Sequence, residues 1–238
     1  MNSEYTIPHV IHYCWFGLKP KPKLVLDCIL SWQKKCPDFI IKEWNESTYN
    51  VHSSPFSSRM YYQKKWAFVA DYARLTILIK EGGIYLDTDM ELVQDISPLL
   101  GTKLLLGEEE HGTISAGMIG SIPHHPFIQK CKERYDSILG LPPTIPRLMT
   151  EVFISVKDTL TGMTVCPPIA FYPYSQETIA KYKKEDLTKL TYGVHLWNYS
   201  WGHPVLRIAN KFSFYYMFKK ILGALGLKKI LKKILSLS

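Results

Sequence analysis

The sequence predicts an α/β domain with a mostly parallel mixed sheet, and the first reason is a strand, helix and strand succession near the amino terminus. Residues 7–16, IPHVIHYCWF, form an apolar, β-branched and aromatic run that is typical of a buried strand. Pro22 can begin a helix over the following KLVLDCILSWQKKC, where apolar side chains recur at helical spacing. Residues 39–44, FIIKEW, predict a second strand. This succession indicates a parallel βαβ unit.

The second reason is a helix followed by a short strand in the middle of the chain. Residues 64–81 contain WAFVADYARLTILI, which is apolar on most faces and predicts a largely buried helix, with Gly82 as its left-handed cap. The strand that follows finishes in two aspartates one residue apart. Because side chains alternate along a strand, Tyr85, Asp87 and Asp89 are expected on one side of it.

The rest of the chain adds shorter elements. Residues 45–63 are polar and turn-rich, and they predict a loop or short helices. Residues 140–176 are rich in proline, and a helix is expected there only between Leu148 and Leu160. Strands are predicted at 104–106 and 112–121, and a helix at 126–135. A late strand followed by an aromatic turn is predicted at 191–201.

Length and cysteine content limit the class of protein. A chain of 238 residues favours one domain, residues 1–206, with a basic tail, residues 207–238. The five cysteines are an odd number without a C-x-x-C pair, which argues against a disulfide framework or a zinc site and suits a reducing cytosol. The amino terminus does not resemble a secretory signal, and no run of 18 apolar residues predicts a membrane-spanning helix.

The net charge of +8 is confined to the tail. Residues 207–238 contain eight Lys or Arg and no acid, so residues 1–206 are neutral overall. A neutral body argues against nucleic acid as a partner. Within 211–238 a stripe of leucine and isoleucine faces a stripe of lysine, which predicts a basic amphipathic helix on an anionic membrane. A helix packed on the body, with a solvated basic face, is the alternative.

Two clusters in the first third of the chain could carry chemistry. Residues 12–17 follow the first strand, and open α/β sheets bind ligands at the carboxyl ends of strands. Trp15 could stack on a base there, or it could belong to the core. Asp71 and Arg74 share one face of the apolar helix. They either form a salt bridge with each other or face a polar pocket, with Arg74 on a phosphate and Asp71 on hydroxyls.

Two further clusters contain possible metal ligands. Asp87 and Asp89 have the spacing that suits a hard divalent cation and its diphosphate ligand, although such pairs also arise by chance. His195 follows a strand-like segment and precedes Trp197 and Trp201. It could be a metal ligand or an ordinary exposed or satisfied histidine.

Together these clusters carry a family resemblance. The segments IPHVIHYCWFG, WAFVADYARLTILIKEGGIYLDTDME and GVHLWNYSW resemble the bacterial branch of glycosyltransferase family 32, whose sugar-binding region contains a DXD motif. They are also similar to the catalytic domains of the large clostridial glucosylating toxins. The resemblance runs from about Ile7 to Trp201 and implies a GT-A fold, a UDP-sugar donor, a divalent cation (Mn²⁺ or Mg²⁺) and retention of anomeric configuration.

The resemblance also implies roles for individual residues on the donor side. Trp15 would stack on the uracil, and the backbone near His12 and Tyr13 would line the base site. Asp71 would hold sugar hydroxyls, and Arg74 would reach toward the sugar or the diphosphate.

Further roles concern the metal and the walls of the site. Tyr85 would wall the donor pocket, Asp87 would contact the ribose and the metal, and Asp89 would ligate the metal directly. His195 is the expected third metal ligand. The remaining aromatic residues expected in the site wall are Trp197 and Trp201.

The expected function is a retaining glycosyltransferase that moves a hexose or an N-acetylhexosamine to a lipid-linked saccharide in capsule or O-antigen synthesis. Its expected location is cytoplasmic, on the inner face of the membrane. Because no acid stands out as a nucleophile, a front-face mechanism is favoured. The alternatives are a toxin-like effector that glycosylates a protein and a non-catalytic membrane-binding module.

Overall fold

The computed structural model describes residues 6–140 and 142–198, which divide into two compact units. The larger unit holds the described residues up to Pro173 together with 187–195, and the smaller one holds 174–186 and 196–198. The tail and the boundary predicted at residue 206 lie outside the described residues.

All α-helices and β-strands of the described residues belong to the larger unit. The helices are α1 (Lys23–Lys35), α2 (Pro55–Tyr62), α3 (Trp66–Glu81), α4 (Pro126–Asp136) and α5 (Ile145–Val156). The strands are β1 (Val10–Cys14), β2 (Ile40–Trp44), β3 (Gly83–Leu86), β4 (Met90–Leu92), β5 (Leu104–Glu110), β6 (Thr113–Ser121), β7 (Met163–Cys166) and β8 (Gly193–His195). None of these helices combines the length and the apolar character that a bilayer-crossing segment needs.

The strands form two sheets. The large one has the order β2-β1-β3-β6-β5-β7, and β1 runs parallel to both β2 and β3. Strand β7 runs parallel to β5, whereas β6 is antiparallel to both of its neighbours. Strands β4 and β8 form a separate antiparallel pair. The predicted mixed α/β class and the first parallel βαβ unit are confirmed.

Helix α3 supports the centre of the large sheet. Nine of its sixteen residues are buried, which confirms the prediction of a largely buried helix. The chain then turns into β3 through Gly82 and Gly83, whose φ angles are +64° and +91°. A Cβ at position 83 would lie 2.8 Å from the Val10 carbonyl oxygen. This turn therefore requires glycine, both for its backbone conformation and for its close approach to β1.

Two local predictions need correction, and a third is confirmed. Strand β3 ends at Leu86, and Asp89 lies in the turn before β4, where the Met90 N–H donates to the Asp87 carbonyl at 2.9 Å. Strand alternation therefore does not relate Asp87 to Asp89. The prediction of a loop or short helices at 45–63 is confirmed by the short helix α2, which Ser54 caps by accepting from the Ser57 N–H at 3.0 Å. The proline-rich segment contains β7, an edge strand where proline can follow without breaking a ladder.

Candidate functional site

The candidate site lies where β1, β3 and β8 end. Parallel strands β1 and β3 bring Trp15 and Asp87 to the same edge of the large sheet. In the small sheet Met90 lies opposite His195, so the pairing of β4 with β8 places His195 beside Asp89. The nearest ligand atoms of the two aspartates and the histidine all lie within 4.8 Å of one another.

This group has the chemistry of a divalent cation site. His195 Nε2 is 3.2 Å from Asp89 Oδ1. Neighbouring ligands of an octahedral ion with bonds of about 2.1 Å stand about 3 Å apart, so both atoms could bind one ion. Carboxylate oxygens suit Mg²⁺ and Mn²⁺, and an imidazole is accepted by transition metals. The residues present therefore fit the cation that the family resemblance implies.

Arg74 connects α3 to this cation site. Its guanidinium donates to Asp71 Oδ1 at 2.9 Å and to the Ala116 carbonyl at 2.7 Å, and it lies 3.2 Å from Asp87 Oδ1. The arginine side chain is only 5% exposed. The salt bridge between Asp71 and Arg74, which was one of the two interpretations of the sequence, is present. Because Arg74 also reaches Asp87, the pair belongs to the same charged network as the cation site.

The charges of the site shift one another's titration. Burial raises the pKa of Asp71 to about 6, although Arg74 acts to lower it. Burial also raises the pKa of Asp87, where Arg74 opposes the shift and Asp89 adds to it. Burial alone would lower the pKa of His195, but the Asp89 carboxylate outweighs this effect and the pKa is raised. A bound cation would favour charged carboxylates and a neutral imidazole.

Sequence reasoning missed Tyr172, which packs on the cation site. Its ring centroid lies 5.4 Å from that of His195, and its hydroxyl is hydrogen-bonded to Ser115. Tyr172 follows the prolines of the segment that was predicted to be irregular, where no periodicity indicates which side chains face inward.

Glu109 in β5 is a second residue that sequence reasoning missed. Burial raises the pKa of its carboxyl to about 7, and it lies within electrostatic reach of His195 and Asp87. Among the described residues its carboxylate makes no hydrogen bond or ion pair. The run GEEEHG was a possible signal, but the strand was predicted to end at residue 106.

His12 lies inside the fold, and its side chain has a structural role. Trp44 Nε1, which can only donate, lies 3.1 Å from His12 Nδ1. His12 Nε2 therefore carries the proton and donates to the Gly82 carbonyl at 2.9 Å. Burial lowers the pKa of His12 to about 4, so the ring is neutral at pH 7. Any contact of position 12 with a donor falls to the backbone, as the resemblance implied.

Tyr13 and Trp15 lie at the predicted strand end, but little of either ring is open. The Tyr13 hydroxyl donates to Glu43 at 2.6 Å, and Lys21 pairs with the same carboxylate at 2.7 Å. Trp15 Nε1 donates to the Lys19 carbonyl at 2.6 Å, and the residue is 8% exposed. Stacking of Trp15 on a uracil stays a prediction.

The other predicted aromatic residues are placed differently. The guanidinium of Arg74 lies over the Tyr85 ring, 4.4 Å from its centroid, and Tyr85 is 2% exposed. The Tyr85 ring therefore packs against the Arg74 guanidinium and helps to hold it in place. Trp197 belongs to the smaller unit, where its Nε1 donates to the Tyr174 carbonyl at 2.8 Å. Trp201 lies outside the described residues, and the roles of both tryptophans in the site wall stay predictions.

The fold is that of a known class of transferases. The solved structure of PaToxG glycosyltransferase superposes with a TM-score of 0.51 over 66% of this chain and 71% of that chain, at 18% sequence identity. At this identity the likeness concerns the fold alone. It confirms the expected GT-A class.

The sequence relationship is more specific. Residues 22–106 match the family described as "Glycosyltransferase sugar-binding region containing DXD motif". Human alpha-1,4-N-acetylglucosaminyltransferase is 29% identical over 168 residues, which cover 62% of this chain and 48% of that protein. Mouse lactosylceramide 4-alpha-galactosyltransferase is 31% identical over 150 residues, which cover 55% and 40%. The chain thus spans less than half the length of these two relatives. The match over residues 22–106 agrees with the predicted resemblance to the glycosyltransferases that contain a DXD motif.

Proposed function

We propose that this chain is a metal-dependent glycosyltransferase that moves a hexose or an N-acetylhexosamine from a UDP-sugar to a saccharide acceptor. The observation that carries the proposal is the convergence of Asp87, Asp89 and His195 in a GT-A fold. The ion pairs of Arg74 support it, because the Arg74 guanidinium contacts Asp87 of the cation site and also the Asp71 carboxylate.

The chain's own residues divide the work of the reaction. Asp87, Asp89 and His195 would hold the divalent cation, for which Mn²⁺ is our first choice and Mg²⁺ the second. When bound, this cation supplies charge neutralisation for the departing diphosphate. Arg74 keeps the Asp87 carboxylate in place through their 3.2 Å contact. Asp71, whose Oδ1 accepts a hydrogen bond from Arg74, would orient sugar hydroxyls.

We infer retention of configuration, in agreement with the alpha linkages named for both relatives. The acceptor hydroxyl would attack the anomeric carbon from the side of the leaving diphosphate. The bond from that carbon to the diphosphate oxygen breaks, and the acceptor proton passes to that oxygen. Glu109, which lies within electrostatic reach of His195 and Asp87, could act as a nucleophile instead. A glycosyl group trapped covalently on Glu109 would overturn the front-face mechanism.

The decisive test follows release of UDP from a panel of UDP-hexoses and UDP-N-acetylhexosamines with Mn²⁺. The sugars named for the relatives, N-acetylglucosamine and galactose, are tried first. We expect the exposed control variant Asp38→Asn to keep full activity and Asp89→Asn to lose it about 100-fold or more, because groups that only orient metal ligands already contribute about 10- to 100-fold. Activity that survives a chelator, or no release from any donor, would refute the proposal.

We further propose that the acceptor is a lipid-linked saccharide of capsule or O-antigen synthesis, reached from the cytoplasmic face of the membrane. One relative is named for lactosylceramide, a glycolipid. The sequence adds the basic stripe at Lys228, Lys229, Lys232 and Lys233. Each lysine near an anionic surface contributes about 1 kcal/mol to binding.

Vesicle sedimentation tests this part of the proposal. We expect the full chain to sediment with vesicles that contain anionic lipid and to remain in solution with purely zwitterionic ones. Changing the four tail lysines to glutamate should abolish sedimentation. The matched control changes four exposed lysines of the described region, Lys34, Lys35, Lys181 and Lys183. Equal loss in both variants would show that general charge, rather than the tail, is responsible.

A further inference from the structure

Tyr172 is buried beside one ligand of the proposed cation site. Its ring lies at 47° to the ring of His195, with 5.4 Å between centroids, and Tyr172 is 4% exposed. The backbone of the same segment is also tied to β8, because the His195 N–H donates to the Phe171 carbonyl at 3.0 Å. The segment that carries Tyr172 is thus fixed to the strand that carries His195.

The hydroxyl of Tyr172 leads to a second ligand of the site. Ser115 donates a hydrogen bond to this hydroxyl and accepts one from the Gly117 N–H at 3.1 Å. The Gly117 carbonyl in turn accepts from the Asp87 N–H at 2.9 Å. A continuous series of hydrogen bonds therefore runs from Tyr172 through β6 to the backbone of Asp87.

Gly117 shows how closely these groups converge. A Cβ at this position would lie 2.8 Å from the Tyr172 hydroxyl, 3.0 Å from Asp87 Oδ2 and 3.5 Å from the ring of His195. The φ angle of Gly117 is not in the left-handed region, so its backbone conformation does not by itself require glycine. The absence of a side chain instead lets the tyrosine hydroxyl, the carboxylate and the imidazole occupy one small volume.

We propose that Tyr172 is a positioning residue of the cation site and holds His195 and Asp87 in register with each other. These two ligands need such a link because Asp87 follows a strand of the large sheet and His195 ends a strand of the small one. Groups that orient metal ligands typically contribute 10- to 100-fold to metal affinity. This inference rests on the proposed metal-dependent function.

The test measures Mn²⁺ affinity by electron paramagnetic resonance of the free ion, without any nucleotide sugar. Tyr172→Phe removes only the hydroxyl, and Ser115→Ala removes its partner. We expect each variant to bind Mn²⁺ about tenfold more weakly than the wild type. The double variant should lose no more than Ser115→Ala alone, because Ser115→Ala already breaks the hydrogen bond that Tyr172→Phe removes, together with the one from the Gly117 N–H. The matched control is Tyr49→Phe, since Tyr49 is also buried and its hydroxyl also pairs with a serine, Ser53.

Thermal unfolding of the same variants separates positioning from a merely structural role. A Tyr172→Phe variant that melts earlier but keeps the wild-type Mn²⁺ affinity would overturn the inference. The same holds if Tyr49→Phe weakens binding equally. If Asp89→Asn abolishes binding while Tyr172→Phe binds as the wild type does, the inference fails and the proposed function stands. If the wild-type chain binds no Mn²⁺, the metal-dependent function fails, and this inference fails with it.

Discussion

Replacing Arg74 with methionine tests whether the charged network under the cation site holds the fold together. The guanidinium is buried, and it contacts Asp71, Asp87 and the Ala116 carbonyl at 2.9, 3.2 and 2.7 Å. Methionine fills a similar volume without a charge or a donor. The variant therefore leaves two carboxylates and one carbonyl without this partner and creates little new cavity.

The magnitude follows from these contacts. Removing one partner of a buried ion pair costs about 3–5 kcal/mol, and protonation of a carboxyl recovers part of this. We expect a loss of about 4 kcal/mol at pH 8, which lowers the melting temperature of a chain of this size by about 10 °C. The pKa of Asp71, already about 6 beside Arg74, rises further without it. A folded-state pKa above the unfolded value makes stability fall as pH rises through that interval. The loss should therefore be smaller at pH 5.5 than at pH 8.

Urea unfolding in the presence of a chelator measures both effects, provided that the denaturant slope stays constant among the variants. The control is Arg147→Met, which breaks an exposed i, i+4 pair with Glu151 and should cost about 0.5 kcal/mol or less. If Arg74→Met costs no more than this control, or costs the same at both pH values, the network does not stabilise the fold in the way argued.

Three more predictions concern other parts of the larger unit. Gly83→Ala, at φ +91° and 2.8 Å from a carbonyl oxygen, should cost at least about 1 kcal/mol more in urea unfolding than Gly112→Ala, which has φ +82° and open space; equal losses would contradict the clash. In metal-free protein the free energy of unfolding of Glu109→Gln, relative to that of the wild type, should increase by about 2 kcal/mol as the pH rises from 5 to 8. The reason is that the folded-state pKa of about 7 makes the wild type lose stability as the pH rises. Mn²⁺ affinity should fall below pH 7 as protons compete for His195, whose pKa the Asp89 carboxylate raises; a flat profile would exclude this histidine as a ligand.

The sequence predicted those helices, strands and turns that depend on the pattern of neighbouring residues. The apolar pattern of α3, its glycine turn and the strand after it appear in the structure close to the predicted positions. Strand alternation predicted that Asp87 and Asp89 lie on the same side of one strand. In the structure the strand ends before Asp87, and Asp89 lies in a turn. The turn still keeps both carboxylates near His195, so the predicted ligand group forms for a different reason.

Non-local packing accounts for what the sequence could not reveal. His195 reaches Asp89 only because β8 pairs with β4 across about a hundred residues of chain. Tyr172 and Glu109 are brought to the site by an irregular segment and by a strand longer than its apolar core. No periodicity in the sequence records such contacts. The residues alone marked His195 only as a possible metal ligand, and the family resemblance supplied its role as the third ligand.

The pairing of β4 with β8 also has a kinetic consequence. Contacts between segments so far apart in the chain require a large loop to close, and such contacts tend to slow folding. If the cation ligands come together only after the large sheet has formed, a bound cation stabilises the native state without stabilising the folding transition state. It would then act by slowing unfolding, and it would leave the folding rate nearly unchanged.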